Sequence, residues 1–259
     1  MSSNKLDSKE NTFAEGETHF GYQTVPEAEK ADRVKAVFNN VATSYDVMND
    51  VMSAGVHRLW KDSMIDSLNP RADMTLLDVA GGTGDIAFRF LEASKNSNVT
   101  VCDINAEMLK VGEARAAQKK YGERINFVCG DAMALPMPDK SVDAYTIAFG
   151  IRNVTRVEEA LSEAFRVLKR GGRFLCLEFS PEVAPGLQNI YENYSFHVIP
   201  KMGEIIANDR ESYQYLVESI RRFPAPKKFA SMIEQAGFSK VTFRTMSGGV
   251  VALHSGYKV

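Results

Sequence analysis

The chain is poor in the features that most quickly assign a protein to a class. Its 259 residues hold only three cysteines and four histidines, and none of these is grouped at the spacing that a metal site requires. An odd number of widely separated cysteines, Cys102, Cys129 and Cys176, does not make a disulfide framework. Each lies among apolar neighbours that read as strand, so all three are expected to be reduced, buried packing residues. No apolar run approaches the roughly 18 residues that suggest a membrane span, so any membrane contact is expected to be peripheral. Charge of one sign is missing as well. Basic residues number 31 and acidic residues 33, a formal charge of -2, and such a balance creates no field that favours nucleic acid. The polar, acid-containing start, Met1 to Asn11, fits neither an apolar signal peptide nor an Arg-rich transit peptide. A loose tail over residues 1–18 and a cytoplasmic protein are the expectation.

What is present is a large apolar fraction, 44%, enough to fill the core of one domain over residues 19–259. Val34, Val37, Phe38 and Val41 recur at helical spacing, and Trp60, Met64 and Leu68 do so again before Pro70. This places N-terminal helices within residues 27–68. From Met74 the rhythm becomes strand, turn, helix: a strand from Thr75 to Ala80, a helix through Ile86, Phe90 and Leu91, and a strand from Val99 to Asp103. A helix from Ala106 follows, then strands Ile125 to Cys129 and Val142 to Phe149. Helix Val157 to Leu168 leads through Gly171-Gly172 into a strand from Arg173 to Phe179. This alternation predicts an α/β fold with a parallel sheet and helices on both faces. Residues 181–222 interrupt it with a helical insertion carrying Leu187, Ile190, Tyr191, Tyr194 and Val198. After a last helix, Lys227 to Ala236, two short strands, Lys240 to Met246 and Gly249 to His254, are predicted to pair as a hairpin at the sheet edge, making the sheet mixed.

The segment L-L-D-V-A-G-G-T-G-D, Leu76 to Asp85, leaves a buried strand and opens a helix, the context that a nucleotide fingerprint needs. Gly81, Gly82 and Gly84 allow a tight turn and close approach of a ligand to the backbone. The next strand ends on Asp103, about 20 residues on, where a carboxylate can accept from both hydroxyls of a ribose. Two features separate this turn from a dinucleotide site. Asp85 stands in place of the third glycine that packs beneath a pyrophosphate, and acids flank the loop at Asp78 and Asp85. Negative charge suits a sulfonium and an ammonium and repels a pyrophosphate. No tyrosine has a lysine four positions later, as a short-chain dehydrogenase requires. The reading is S-adenosylmethionine rather than a nicotinamide cofactor. Asp131 and Ala132, in C-G-D-A-M-A-L-P, follow a strand end on the ligand side of such sheets, where Asp131 can accept from an adenine amino group. It can equally cap the turn after Gly130.

Several segments in order carry a more specific likeness: H-F-G-Y-Q-T-V, V-A-T-S-Y-D-V-M-N-D-V-M-S, D-V-A-G-G-T-G-D, F-G-I-R-N-V, Y-S-F-H-V-I-P, S-Y-Q-Y-L-V-E-S-I and G-G-V-V-A-L-H-S-G-Y-K. Together they resemble the UbiE-type ubiquinone/menaquinone C-methyltransferases from about His19 to the C-terminus. The resemblance implies a Rossmann-like class I methyltransferase with a mostly parallel seven-stranded sheet and an antiparallel edge strand. It implies methylation of a ring carbon on a polyprenylated benzoquinol, on demethylmenaquinol, or on both. It also implies that Thr83, Asp103, Asp131 and Ala132 contact the cofactor. A serine is usual in the S-F-G-x-R-N segment of this family, and Ala148 stands there instead.

Methyl transfer to carbon needs an electron-rich carbon, which a hydroquinol supplies once a ring hydroxyl loses its proton. Alignment can supply effective molarities of about 10⁵ to 10⁸ M, so neither a metal nor a covalent nucleophile is called for. Arg152 and Asn153, just beyond the strand ending at Phe149, and Tyr45, from the N-terminal segment closing over the site, are the expected catalytic trio, and the resemblance points to the same three. A guanidinium stays protonated with a pKa above about 12. Arg152 is therefore expected to stabilise the phenolate or order a proton-accepting water, with Asn153 and Tyr45 orienting the hydroxyl. His57, His197 and His254 have no catalytic spacing and read as packed histidines. Helices 27–68 read as a lid and residues 181–222 as a substrate cover, whose apolar stripe suits a polyprenyl tail. Contact with the inner face of the membrane or with a quinone-biosynthesis complex would bring such a substrate within reach. The sequence leaves homodimerisation open.

Overall fold

Leu76 and Leu77 point to opposite faces of one strand and both are fully buried, as a central strand covered on two sides requires. The computed structural model describes residues 14–41, 49–50, 53, 55–119, 121–184, 186, 200–201, 204 and 210–259. That strand, β3 (Thr75–Val79), sits inside a seven-stranded sheet with β4 (Asn98–Asp103), β5 (Ile125–Cys129), β6 (Val142–Ala148), β7 (Leu168–Phe179), β8 (Ser239–Met246) and β9 (Val251–Tyr257). The order is β5-β4-β3-β6-β7-β9-β8. β9 runs antiparallel to β7 and β8, and the other pairs are parallel. The reversed strand thus lies one place inside the edge, where the terminal hairpin inserts it.

Helices cover both faces. Trp60, Met64 and Leu68 of α2 (His57–Leu68), Phe90 and Leu91 of α3 (Asp85–Ala93) and Leu216 of α6 (Arg210–Arg222) pack with Leu76, Leu175 and Leu177. On the opposite face Leu161 of α5 (Val157–Val167) and Phe229 and Ile233 of α7 (Pro226–Gln235) pack with Leu77, Val79 and Cys176. Truncating one of these, Phe90→Ala for example, is expected to cost about 3–5 kcal/mol. α4 (Ala106–Lys119) lies against β5, and α1 (Glu27–Val41) lies above the ligand end of the sheet, with Ala31, Val34 and Phe38 lining a cleft there.

Three expectations change. Glu17 and Thr18, assigned to the tail, belong to strand β1 (Glu17–Phe20), which pairs with β2 (Gln23–Pro26) as a separate hairpin. Its four-residue strands are too short to show a period. The Gly171-Gly172 pair does not separate helix from strand. β7 begins at Leu168, pairs with Val142, and passes through the glycines with a register shift between Val142 and Ala144. Cys102 and Cys176 are buried, but Cys129 is exposed, because β5 is the outermost strand and its end is covered on fewer sides. Leu187, Ile190, Tyr191, Tyr194 and Val198 of the insertion fall outside the described residues, as do Tyr45 and His197.

Candidate active site

The carboxyl ends of β3, β4, β5 and β6 open together on one cleft, lined by Gly82, Asp103, Ile104, Asp131, Ala132 and Asn153 among others. Two residues beside it, Ala80 and Phe149, take left-handed backbone conformations (φ 50° and 57°) at the ends of the neighbouring strands β3 and β6. Such strain is held where the surrounding structure fixes it, often at a functional site. Here it turns the chain sharply away from the sheet and leaves room above the strand ends.

The glycine turn is built around carboxylates. A Cβ on Gly81 would stand 2.7 Å from both Asp78 Oδ2 and Val101 Cγ1, so no larger residue fits without movement. The Gly82 N–H donates to Asp103 Oδ2 (2.9 Å) and the Asn105 N–H to Asp103 Oδ1 (2.8 Å). The loop and the carboxylate expected to meet a ribose are therefore already locked together. Burial raises Asp103 to about 6 against these bonds. Asp78 is buried deeper. Thr146 Oγ1 donates to its Oδ1 at 2.8 Å, while Oδ2 has no hydrogen-bond partner. Burial, reinforced by Asp85 and Asp103, lifts Asp78 to about 7 although Thr146 and Lys61 oppose the shift. A buried carboxylate oxygen left unpaired is costly, and a cationic ligand group is what would satisfy it. The residues thus fit S-adenosylmethionine on the structure's own terms. Asp78 matches an ammonium, Asp103 can accept from ribose hydroxyls, and Asp131 and Ala132 line the same cleft as Asp103.

Asp131 combines its two sequence readings. Its Oδ1 accepts from the Met133 N–H at 2.9 Å, capping the turn, and the residue also lines the cleft. Thr83 is buried, its hydroxyl accepts from Arg115 Nη1 at 3.2 Å, and it lines a smaller cavity beside Asp78 and Ala148. Gly84, with φ 84°, starts α3.

The three catalytic candidates part company. Asn153 lines the main cleft and its Oδ1 accepts from Tyr215 Oη at 2.9 Å. Arg152, next in sequence, is 3% exposed and does not line it. Its guanidinium turns back beneath the sheet end, where Nη1 meets Phe149 O (2.5 Å) and Glu178 Oε1 (2.9 Å), and Nε meets Ser219 Oγ (3.3 Å). Burial raises the Glu178 carboxyl and Arg152 pulls it back down. The physical reason for the divergence is the short 3₁₀ turn Ile151–Asn153, which sends consecutive side chains in different directions. Tyr45 lies outside the described residues.

Residues that the sequence did not single out join the site. Tyr215 stacks on Phe20 with ring centroids 4.2 Å apart, and burial raises its phenol well above the usual value. Lys30 of α1 is fully buried, donates to Val154 O at 3.1 Å, and is lowered by burial to about 8. Lys61 of α2 is 5% exposed and donates to Asp85 Oδ2 at 2.8 Å. Each is one polar residue in an otherwise apolar helical stripe or a distant segment, and spacing gives no sign of it. His57 and His254 are buried. His57 bonds Asp50 (3.0 Å), and His254 bonds Pro226 O (2.9 Å) and packs on Phe229.

Comparison with known proteins agrees with this geometry. The chain is 59% identical over 242 residues to the ubiquinone/menaquinone biosynthesis C-methyltransferase UbiE of Dinoroseobacter shibae, covering 93% of this chain and 97% of that one. It is 60% identical over 248 residues to the protein of the same name from Methylobacterium nodulans, covering 95% and 98%. Among solved structures it resembles a Methanococcus maripaludis protein assigned to the S-adenosylmethionine-dependent methyltransferases, with a TM-score of 0.59, 19% identity, and coverage of 84% of this chain and 92% of that one. It also resembles Haemonchus contortus phosphoethanolamine N-methyltransferase 2 in complex with S-adenosylmethionine, with a TM-score of 0.58, 15% identity, and coverage of 77% and 52%. At those identities the structures speak for the class I methyltransferase fold alone. With residues 26–258 matching the pattern of the ubiE/COQ5 methyltransferase family and near-full-length relatives close to 60% identity, the chain belongs to that family.

Proposed function

We propose that this protein is an S-adenosylmethionine-dependent C-methyltransferase of quinone biosynthesis, acting on a ring carbon of 2-polyprenyl-6-methoxy-1,4-benzoquinol, of demethylmenaquinol, or of both. One observation carries the reading: a single cleft is lined by the donor-side residues Gly82, Asp103 and Asp131 and by Asn153 from the family segment F-G-I-R-N-V. S-adenosylmethionine supplies an activated methyl on a sulfonium. The protein's task is then to hold an acceptor ring in line, to favour its phenolate and to exclude water.

Asn153 is the described residue best placed to meet a ring hydroxyl. The Tyr215 hydroxyl donates to its Oδ1, so the amide group keeps its two N–H donors for an oxygen ligand. Removing such a preorganised donor typically costs about 10² to 10³ in rate. Arg152 acts through position rather than contact. By holding Phe149 O and Glu178 together it fixes the turn on which Asn153 stands. Tyr45 is proposed to orient the hydroxyl from the lid side, with residues 27–68 as lid and 181–222 as cover for the polyprenyl tail. Among the described residues no helix is long and apolar enough to cross a membrane. A cytoplasmic protein meeting its substrate at the inner face of the membrane suits a tailed quinol.

The test is incubation with methyl-labelled S-adenosylmethionine and each quinol, followed by mass spectrometry. A carbon-methylated product with the number of exchangeable phenolic protons unchanged is expected. Label transfer to neither quinol, or transfer to oxygen, would refute the reading. Removing the polyprenyl tail should weaken binding more than it slows transfer once bound.

A further inference from the structure

The smaller cavity holds an unexplained pairing of charges. It is lined by Lys61, Asp78, Ala80, Thr83, Ala148 and Phe149 among others. It shares the walls Ala80 and Phe149 with the main cleft, so a ligand whose nucleoside fills the cleft can send a short tail into it. On one side stands Asp78, 1% exposed, with Oδ2 unpaired. On another stands the ammonium of Lys61.

Lys61 is poorly explained by packing. It is a buried cation on a helix whose inward face is otherwise made by His57, Trp60, Met64, Ile65 and Leu68. Its one hydrogen bond among the described residues goes to Asp85 Oδ2, and two of its three N–H donors are unspent. Nor is Asp85 dependent on it, because Arg89 Nε also donates to Asp85 Oδ1 at 3.0 Å. Asp85 instead holds the ammonium at the cavity wall. A buried charge with unused donors is expensive unless something completes it.

We infer that Lys61 recognises the carboxylate at the amino-acid end of the methyl donor, so that with Asp78 facing the ammonium the cavity takes the whole zwitterion. This inference rests on the assignment of S-adenosylmethionine as donor. It gives α2 a binding role beyond covering the sheet. It also explains why an acid-rich turn tolerates a ligand that is itself part anion. Negative charge from Asp78, Asp85 and Asp103 would repel a carboxylate, and Lys61 provides the local exception.

The decisive comparison uses S-adenosylmethionine and its decarboxylated form, titrated calorimetrically into the intact protein without acceptor. The wild type is expected to bind the carboxylated donor about ten- to a hundredfold more tightly, the worth of a hydrogen bond to a charged group. Lys61→Met should lose affinity for S-adenosylmethionine and bind the two forms within about threefold. Lys61→Arg should keep most of the preference. Equal wild-type affinity for the two forms would overturn the inference, as would a Lys61→Met protein that discriminates like the wild type. The wild-type comparison needs no variant, so it decides the matter even where Lys61→Met fails to fold. Failure of the wild type to bind S-adenosylmethionine at all would instead refute the donor assignment, and the inference with it.

Discussion

The donor side and the acceptor side of this site are built in different ways. On the donor side, the ends of β3, β4 and β5 present a glycine turn and three carboxylates, Asp78, Asp103 and Asp131. The key contact, Gly82 N–H to Asp103, joins neighbouring strands. On the acceptor side, side chains reach across the fold. Lys30 meets Val154 across 124 positions, Tyr215 meets Asn153 across 62, and Arg152 meets Glu178 across 26. Backbone geometry does most to fix the first region, with Thr146 reaching Asp78 across 68 positions as its main long-range side-chain contact, and a buried polar network fixes the second. A network is satisfied only as a whole. Damage to the acceptor side should therefore appear first as lost stability, and damage to the donor side as lost affinity.

The largest effect should come from the Arg152–Glu178 pair, whose side chains are 3% and 1% exposed. Breaking a buried pair typically costs about 3–5 kcal/mol. The two halves are not equivalent. Arg152→Met leaves a carboxyl that can take up a proton, whereas Glu178→Gln leaves a guanidinium that cannot release one. Glu178→Gln should therefore be the more destabilising in chemical denaturation at pH 7. The cost of Arg152→Met should shrink as pH falls and Glu178 becomes neutral. Equal costs at every pH would remove the distinction between a network and a simple contact. Arg152→Lys, which keeps the charge but not the fork, should slow turnover while leaving donor affinity unchanged. Normal turnover would rule out any role for Arg152 in the site.

On the donor side, Asp103→Ala removes a carboxylate without breaking a long-range network. Donor affinity should fall about ten- to a hundredfold, measured calorimetrically, with a smaller change in unfolding free energy than Glu178→Gln produces. The opposite ranking would mean that the donor side depends on side-chain pairing as much as the acceptor side does.

The same carboxylates make donor binding depend on pH. Burial raises Asp78 to about 7 and Asp103 to about 6, and a ligand that offers an ammonium to one and hydroxyls to the other prefers both ionised. The sign follows. The empty protein gains from keeping these groups neutral, a contribution present at low pH and lost as pH rises from the usual 3.8 through about 7. Donor binding runs the other way, so affinity should fall on acidification below about 7, approaching tenfold per pH unit once Asp78 is mostly protonated and steepening further below about 6 as Asp103 protonates too. Titrations at fixed pH in buffers of different ionisation enthalpy should show proton release on binding near pH 6. Flat affinity between pH 5.5 and 7.5 would mean that neither carboxylate meets the ligand.

The same division governs what could be read from the sequence. The strand-helix alternation, the turn and the acids at strand ends were legible because each is written in a run of adjacent residues with a fixed period or spacing. Asp103 and Asp131 needed only the rule that ligands sit at the carboxyl ends of parallel strands. Lys30, Lys61, Tyr215 and Glu178 were not legible. Glu178 lies inside an apolar strand, and nothing local says that it will meet Arg152. Lys61 is one residue from Trp60 and reads as the polar edge of an amphipathic helix until the fold places it at the cavity. The direction of Arg152 was also hidden, because one short 3₁₀ turn separates it from Asn153. The β1–β2 hairpin was missed for want of length, and the exposure of Cys129 because an edge strand and a central strand can share the same apolar sequence.

The smallest expected effect concerns Ala148, where the family usually carries a serine. Ala148 ends β6 and lines the small cavity with Asp78 and Thr83. Ala148→Ser would add one hydroxyl to a wall that already holds polar groups. A net hydrogen bond is worth about 0.5–1.5 kcal/mol, so donor affinity should tighten between about twofold and tenfold with stability nearly unchanged. Asp103 faces the other cavity, and sites with no shared partner usually combine additively. The double variant Ala148→Ser, Asp103→Ala should therefore bind as the product of the single effects. A shortfall would mean that the ligand shifts between the two cavities when one end is loosened, and that the backbone turn between them does not fix it as firmly as its hydrogen bonds suggest.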